Sequence, residues 1–178
     1  MAEVLLVAAT DIELCDHDGL VCGVGPVEAA AATARELALR SPSAVVHVGI
    51  AGGRGITPGA LIVGTESVYC DIEAEIPVVE RVAPDQALLD AVRAALPDAL
   101  ALPIGTSAAV GGAETGLRVE AMEGFGVLRA CAHAGVPAIE IRAISNEITE
   151  ADRGRWRIGR ALEALAEAIQ PVLAAAAK

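Results

Sequence analysis

The stretch VEAMEGFGVLRACAHAGVPAIEIRAISNE, residues 119–147, contains a helix that leads directly into a strand. We predict the helix over residues 123–133, because Gly135 and Pro137 follow it as stop signals. Residues 138–144 have a clear β pattern, which predicts a strand. A helix followed by an apolar strand is typical of an α/β fold.

The alternation of strands and helices continues on both sides of this stretch. Further strands are predicted at 4–9, 20–24, 44–50, 61–69 and 100–104. Further helices are predicted at 27–40, 86–96 and 156–176. We expect a flexible loop at 51–53, and a kink or early end of the last helix at Pro171. Several strands are apolar throughout, so we predict one domain over residues 1–178, a three-layer αβα sandwich with a mixed, largely parallel central sheet.

The composition excludes several classes of function. The net charge of −11 argues against a nucleic-acid partner, since phosphate binding needs a basic patch. Lys178 is the only lysine, which excludes Schiff-base and P-loop chemistry at an internal lysine. The four cysteines lack Cys-x-x-Cys spacing, and neither a signal peptide nor a membrane-spanning run is recognisable. We therefore expect a cytoplasmic protein with no membrane partner.

Two local motifs have plain explanations. Gly23-Val24-Gly25-Pro26 resembles a dinucleotide-binding loop, but Glu28 stands where a third glycine would allow close packing. A tight turn near a ligand is the better interpretation. Residues 15–18, Cys-Asp-His-Asp, are metal-ligand types, but adjacent side chains rarely converge, so we interpret them as a solvated hairpin tip. We predict neither a cofactor nor a metal.

Polar residues at the predicted carboxyl ends of strands are stronger candidates, because α/β folds bind ligands there. Acidic residues near the start of the 123–133 helix add to this group. Each of these residues alone could be explained by helix or turn structure. As a group at one end of the predicted sheet, they indicate a functional site. The candidates are Glu13, residues 49–53, Ser145-Asn146-Glu147, and Glu120 and Glu123 on either side of Met122.

The motifs in this constellation resemble the nucleoside phosphorylase/nucleosidase superfamily. Residues 119–126 and 141–146 look like its paired signature, and residues 23–26 and 47–53 fall in the expected order. Within the superfamily, the segments 120–126 and 152–159 resemble the futalosine hydrolase subfamily.

The resemblance implies a role for each matching position. Glu13 matches the residue that activates the attacking water, and Glu123 matches the glutamate that binds the ribose hydroxyls. Met122 then packs under the sugar, and Asn146 stands at the position that contacts the leaving base. Further substrate-binding residues are implied around them: Ile50, Ala51, Gly52, Phe125 and Ser145.

Asn146 carries information about the base. Adenine-specific relatives have an aspartate there, and a protonated carboxyl can give a proton to N7 of adenine. Asparagine cannot act as a general acid, but it offers an acceptor and two donors in one plane. The pattern suits a 6-oxopurine, so we expect hypoxanthine as the leaving base.

The implied reaction is hydrolysis of futalosine to hypoxanthine, in the futalosine route to menaquinone, by a homo-oligomer. Phosphorolysis needs a dianion site, and the positions that form it in phosphorylases look like His47 and Ile50 here, with only Arg54 nearby. The alternatives are a methylthioadenosine/adenosylhomocysteine nucleosidase, a purine nucleoside phosphorylase and a catalytically silent nucleoside-binding protein.

The chain also departs from its relatives in two respects. It is shorter around 14–20 and 70–100, regions that normally help to form the pocket for the 5′ substituent. The aromatic residue that stacks on the base in relatives is absent from 106–112, unless Phe125 or a neighbouring subunit supplies one.

Overall fold

A computed structural model of the chain describes residues 3–109 and 116–178. In these ranges eight strands form one mixed sheet. The strands are β1 (Val4–Ala8), β2 (Leu20–Val21), β3 (Ala44–Gly53), β4 (Leu61–Tyr69), β5 (Arg81–Val82), β6 (Leu100–Thr106), β7 (Val119–Ala121) and β8 (Ala138–Glu147). The helices are α1 (Pro26–Leu39), α2 (Gln86–Ala95), α3 (Gly124–Ala134) and α4 (Ile158–Ala176), and short 3₁₀ turns occupy Asp11–Leu14 and Arg153–Arg155.

The sheet has parallel strands at its centre, and at one end its strands pair into a closed ring. Strand β8 lies between β3 and β4, parallel to the first and antiparallel to the second. Strand β7 pairs with both β3 and β6, and β6 pairs with β4. The strands β3, β8, β4, β6 and β7 therefore close into a ring. The predicted mixed, largely parallel sheet is confirmed.

Helices cover both faces of the sheet. On one face α2 and α4 pack on a core that includes Leu6, Val46 and Ile141. On the other face α1 and α3 pack on Leu5 and Val45. Because neighbouring residues of a strand point to opposite faces, these are two separate layers of core, and the predicted three-layer arrangement is confirmed.

Two strands are longer than we predicted, and one of them includes the segment 51–53 that we expected to be a loop. Strand β3 extends through Gly53, because Gly52 pairs with Glu120 on one side and with Asn146 on the other. Strand β8 likewise extends to Glu147. Neighbouring strands supply the backbone hydrogen bonds that a local sequence pattern cannot reveal. The expectation at Pro171 is also wrong in part, since α4 continues past it to Ala176.

The predicted hairpin at residues 15–18 is wrong. Strands β1 and β2 are parallel, so the chain crosses back between them. Cys15 and Asp16 have φ values of 49° and 64°, which form the sharp turn of this crossover. The crossover places Asp11–Leu14, with Glu13, just beyond the carboxyl end of β1.

None of the helices within residues 3–109 and 116–178 is long and apolar enough to cross a membrane.

Candidate active site

A cavity of about 340 Å³ opens at the carboxyl ends of β1, β3 and β8, beside the start of α3. Most of the predicted site residues line it. Those residues are Glu13, Ile50, Ala51, Gly52, Glu120, Met122, Glu123, Ser145 and Asn146. The ends of strands that are far apart in the sequence therefore build one site.

Glu13 is held at the cavity floor by three hydrogen bonds. One carboxylate oxygen accepts from the backbone N–H of Ile50 at 2.9 Å. The other accepts from the backbone N–H of Thr10 at 3.1 Å and from its hydroxyl at 2.7 Å. Only 6% of Glu13 is exposed. A carboxylate has about four acceptor positions, so about one remains free toward the cavity.

Glu123 directly precedes α3 and is 4% exposed. Its Oε1 accepts from the backbone N–H of Gly25 at 3.2 Å, and its Oε2 accepts from the Arg142 guanidinium at 3.3 Å. Burial raises the pKa of Glu123, against the opposite effects of Arg142 and the Gly25 N–H. Each oxygen keeps one acceptor position for a ligand.

A buried polar network stands behind these two carboxylates. Arg142 is fully buried on β8 and donates to Glu140 at 2.8 Å. Glu140 in turn accepts a hydrogen bond from Ser67 on β4. Burial opposes the charge of Arg142, but Glu140 and Glu123 outweigh it and raise its pKa. The guanidinium is therefore a fixed positive charge beneath the cavity.

His47 completes the network in a neutral form. Burial, and then the nearby guanidinium of Arg142, hold the pKa of His47 well below its usual range. Its Nδ1–H lies 3.1 Å from the carbonyl oxygen of Val7, to which it donates. Its Nε2 then accepts from Arg142 at 2.6 Å. Both ring nitrogens are occupied, so His47 positions Arg142 and is unavailable to a ligand.

Two glycines make room for these buried charges. A Cβ at Gly49 would lie 2.2 Å from Arg142 Nη1 and 2.9 Å from Glu13 Oε1. A Cβ at Gly124 would lie 2.0 Å from Glu140 Oε2. The glycines of both predicted motifs are thus required by the network packed against them.

Asn146 lies at the end of β8, where a bulge opposite Ala51 and Gly52 shifts the register. Its Oδ1 accepts from the Ser145 hydroxyl at 2.6 Å, and its Nδ2 donates to the Glu147 carbonyl at 2.9 Å. The oxygen therefore keeps one acceptor position and the nitrogen one hydrogen. A ligand in the cavity meets a donor and an acceptor side by side.

Phe125 does not belong to the cavity wall, contrary to our prediction. Its ring stacks on Tyr69, with centroids 5.1 Å apart, and its backbone N–H donates to Thr106. Phe125 is the second residue of α3, and it is not among the cavity-lining residues of the described ranges, whereas Glu123 is. Of the stretch 106–112, residues 110–112 lie outside the described residues, and Ala109 lines the cavity.

Arg153 and Trp156 are among the cavity-lining residues that the sequence analysis missed. Both belong to the connection between β8 and α4. A signal was present, because Trp156 is one of three aromatic residues in the chain and segment 152–159 carried the subfamily resemblance.

Comparison with known proteins identifies the family. The model of the family described as "Phosphorylase superfamily" matches residues 20–115. The futalosine hydrolase of Streptomyces coelicolor is 37% identical over 182 residues, covering 85% of this chain and 76% of that protein. The futalosine hydrolase of Acidothermus cellulolyticus is 35% identical, covering 89% and 75%. The chain therefore belongs to the phosphorylase superfamily and, within it, to the futalosine hydrolase family.

Solved structures show the same fold at lower identity. A 5′-methylthioadenosine/S-adenosylhomocysteine nucleosidase from Colwellia psychrerythraea, in complex with adenine, has a TM-score of 0.87 at 18% identity, covering 98% of this chain and 95% of that chain. A futalosine hydrolase mutant of Helicobacter pylori also has a TM-score of 0.87, at 14% identity, covering 98% and 99%. The predicted family and fold are confirmed.

Proposed function

We propose that the chain hydrolyses the N-ribosyl bond of futalosine and releases hypoxanthine, leaving dehypoxanthine futalosine. One observation carries the proposal: Glu13, Glu123 and Asn146 line one cavity, and each keeps hydrogen-bonding positions that no group of the described residues occupies. They match in turn a water molecule, two ribose hydroxyls and the edge of a 6-oxopurine. Relatives named futalosine hydrolase support the choice of substrate.

Glu13 activates the water. Cleavage of an N-ribosyl bond builds positive charge on the sugar, so a water delivered to the anomeric carbon must lose a proton. The three hydrogen bonds from Thr10 and Ile50 fix the carboxylate. Its remaining position accepts the proton of the water.

Glu123 binds the ribose. Its two free acceptor positions suit the O2′ and O3′ hydroxyls, and Met122 lines the cavity beside it. Arg142 and Gly25 keep the carboxylate in place. Because Glu123 is buried, its negative charge acts strongly on the positive charge that develops in the sugar.

Asn146 selects the base. Its free N–H donates to O6 of hypoxanthine, and its free acceptor position receives the hydrogen of N7 after N7 takes a proton from solvent, which balances the proton that Glu13 takes from the water. The hydrogen bond from Ser145 orients the amide in this sense. Adenine presents an amino group in place of O6, which leaves the buried N–H unpaired at a cost of about 1–3 kcal/mol.

Hydrolysis is favoured over phosphorolysis by the charges at the cavity. Both ring nitrogens of His47 are used within the protein. Arg54 does not line the cavity. A phosphate dianion in the water position would also lie against Glu13, which repels it.

The surrounding features support the setting of the reaction. The four cysteines are free thiols, which fits the reducing cytoplasm. All eight strands of the described ranges join one sheet, which supports a single domain.

We further propose a homo-oligomer, in which a neighbouring subunit closes the pocket near the shortened 70–100 region. The reaction then serves the futalosine route to menaquinone.

The test is incubation of the purified chain with futalosine, with identification of both products by mass spectrometry. We expect hypoxanthine and dehypoxanthine futalosine at the same rate in phosphate-free and phosphate buffers. A rate that rises with phosphate, giving a ribose 1-phosphate product, would assign a phosphorylase. Binding of futalosine without turnover would assign the silent nucleoside-binding alternative.

A further inference from the structure

Glu120 is an acidic residue of the cavity wall to which the proposed reaction gives no role. In the part of the chain that the structure describes, three carboxylates line the cavity, and two of them, Glu13 and Glu123, serve the water and the ribose. Glu120 is the third, and it is half-buried on β7. A bound purine would shield it further from water, which is costly for a carboxylate unless the ligand offers it a hydrogen.

The strand position of Glu120 fixes the face on which its side chain lies. Its neighbours on β7, Val119 and Ala121, are buried in the core that also includes Ile104 and Ile144. Because successive residues of a strand point to opposite faces, Glu120 lies on the face opposite to this core. There it lines the cavity.

The pairing of the strands places Glu120 level with Asn146. Gly52 of β3 is the register partner of Glu120 on one side and of Asn146 on the other. Register partners lie side by side on one face of a sheet, so the two side chains share a face with Gly52 between them. Neighbouring strands are about 4.8 Å apart, which puts the Cα atoms of Glu120 and Asn146 about 10 Å apart.

Gly52 leaves the space between these two side chains open. A Cβ at Gly52 would lie 3.4 Å from Nδ2 of Asn146 and 3.2 Å from Cγ1 of Ile148. A larger side chain at this position would therefore crowd the Asn146 amide. A flat base fits over Gly52, with the amide at one edge and the carboxylate of Glu120 at the other.

The chemistry of a 6-oxopurine matches this arrangement. The proposed function, on which this inference rests, uses Asn146 for O6 and N7 of hypoxanthine. The next polar group around the ring after O6 is N1, which carries a hydrogen in hypoxanthine and a bare lone pair in adenine. A carboxylate accepts hydrogen bonds and cannot donate one. We propose that Glu120 accepts the N1–H of the leaving base and, together with Asn146, excludes adenine.

The first test removes the N1 hydrogen from the substrate. It compares kcat/KM for futalosine and for its 1-methyl derivative, which keeps O6 and N7 for Asn146. In the unaltered protein we expect futalosine to be preferred by about 10- to 100-fold, because the derivative lacks a hydrogen bond to a charged group. In Glu120→Ala neither substrate has this bond and the methyl group has room, so the ratio should fall to about one.

The second test gives the side chain a donor. The amide N–H of Glu120→Gln can donate to N1 of adenine, so the preference for futalosine over aminofutalosine, its adenine-bearing counterpart, should fall about tenfold while Asn146 is unchanged. Glu66→Gln is the matched control, because Glu66 is also a half-buried glutamate of a strand but does not line the cavity. It should keep the ratios of the unaltered protein.

Two results would overturn the role of Glu120. One is a ratio near one between futalosine and its 1-methyl derivative in the unaltered protein, or a ratio that Glu120→Ala leaves unchanged. The other is an equal change in kcat/KM for futalosine and aminofutalosine in Glu120→Gln, because a side chain that acts only through its charge or its packing would affect both substrates alike.

Failure of the Glu120 contact and failure of the proposed reaction give different results. Calorimetry with the free bases hypoxanthine and 1-methylhypoxanthine measures binding without turnover. If no base is released from futalosine, the proposed reaction is wrong. The role of Glu120 is then supported only if hypoxanthine binds about tenfold more tightly than its 1-methyl derivative and Glu120→Ala removes the difference; equal binding, or no binding of either base, overturns it.

Discussion

Replacement of Gly124 by alanine tests whether the buried network holds the site together. Gly124 is the first residue of α3, and a Cβ there would lie 2.0 Å from Oε2 and 2.2 Å from Oε1 of Glu140. Glu140 cannot yield without leaving Ser67 and Arg142, because it is completely buried between them.

The expected magnitude follows from two opposing effects. Breaking a buried ion pair costs about 3–5 kcal/mol, whereas glycine to alanine in a helix gains about 1 kcal/mol. We therefore expect Gly124→Ala to lower the free energy of unfolding by about 2–4 kcal/mol. Base release should also slow, because Arg142 positions Glu123.

The assay is urea denaturation followed by far-UV circular dichroism, with Gly159→Ala as the matched control. Gly159 is an exposed residue in the first turn of α4, and a Cβ there would meet no atom within 4 Å. This control should be neutral or stabilised by up to about 1 kcal/mol. Equal stabilities of the two variants would refute the reasoning about the Glu140 cluster.

Three further predictions concern the ionisable groups. Glu13→Gln should lower kcat by about 10²–10⁴-fold in protein that circular dichroism shows to be folded, and a loss under tenfold would contradict a base role. Because the folded-state pKa of His47 is lowered, its contribution to stability is present above about pH 6.5 and is lost as the pH falls toward the folded value, by up to about 1.4 kcal/mol per pH unit. Urea titrations at several pH values should show that the free energy of unfolding falls less steeply with decreasing pH in His47→Gln than in the unaltered protein, and that exposed His133→Gln does not change this pH dependence. The same pH dependence in His47→Gln and the unaltered protein would refute a neutral buried His47. The raised pKa of Glu123 predicts that kcat/KM falls on the acid side at a higher pH than an ordinary glutamate would cause; a flat profile down to pH 4.5 would contradict this.

The parts of the fold that could be predicted from the sequence are those that local signals specify. Helix α3 and strand β4 came within a residue of their predicted bounds, because glycine and proline stop signals and apolar runs act locally. The three-residue strand β7 was missed, since it exists only through its pairing with β3 and β6. The prediction of a hairpin at 15–18 failed because strand direction also depends on pairing with distant strands. A local turn signal does not reveal whether the next strand runs parallel or antiparallel to the one before it.

The candidate site was predictable where side chains follow strands, and not where charges pair over long distances. Glu13, Glu123 and Asn146 were all identified, and they line one cavity. Nothing in the sequence shows that Arg142 contacts His47, 95 residues away, and Glu123, 19 residues away. Without partners these charges would be too costly to bury, so the alternating pattern of β8 concealed the network that supports the site.

The choice of a 6-oxopurine base by Asn146 is tested most directly by comparing two substrates that differ only in the base. The measurement is kcat/KM for futalosine and for aminofutalosine, its adenine-bearing counterpart, in the unaltered protein and in Asn146→Asp. We expect futalosine to be preferred by about 10- to 100-fold, and the preference to shrink or reverse in Asn146→Asp, since a protonated carboxyl can serve adenine N7. Faster release of adenine than of hypoxanthine by the unaltered protein would contradict the account.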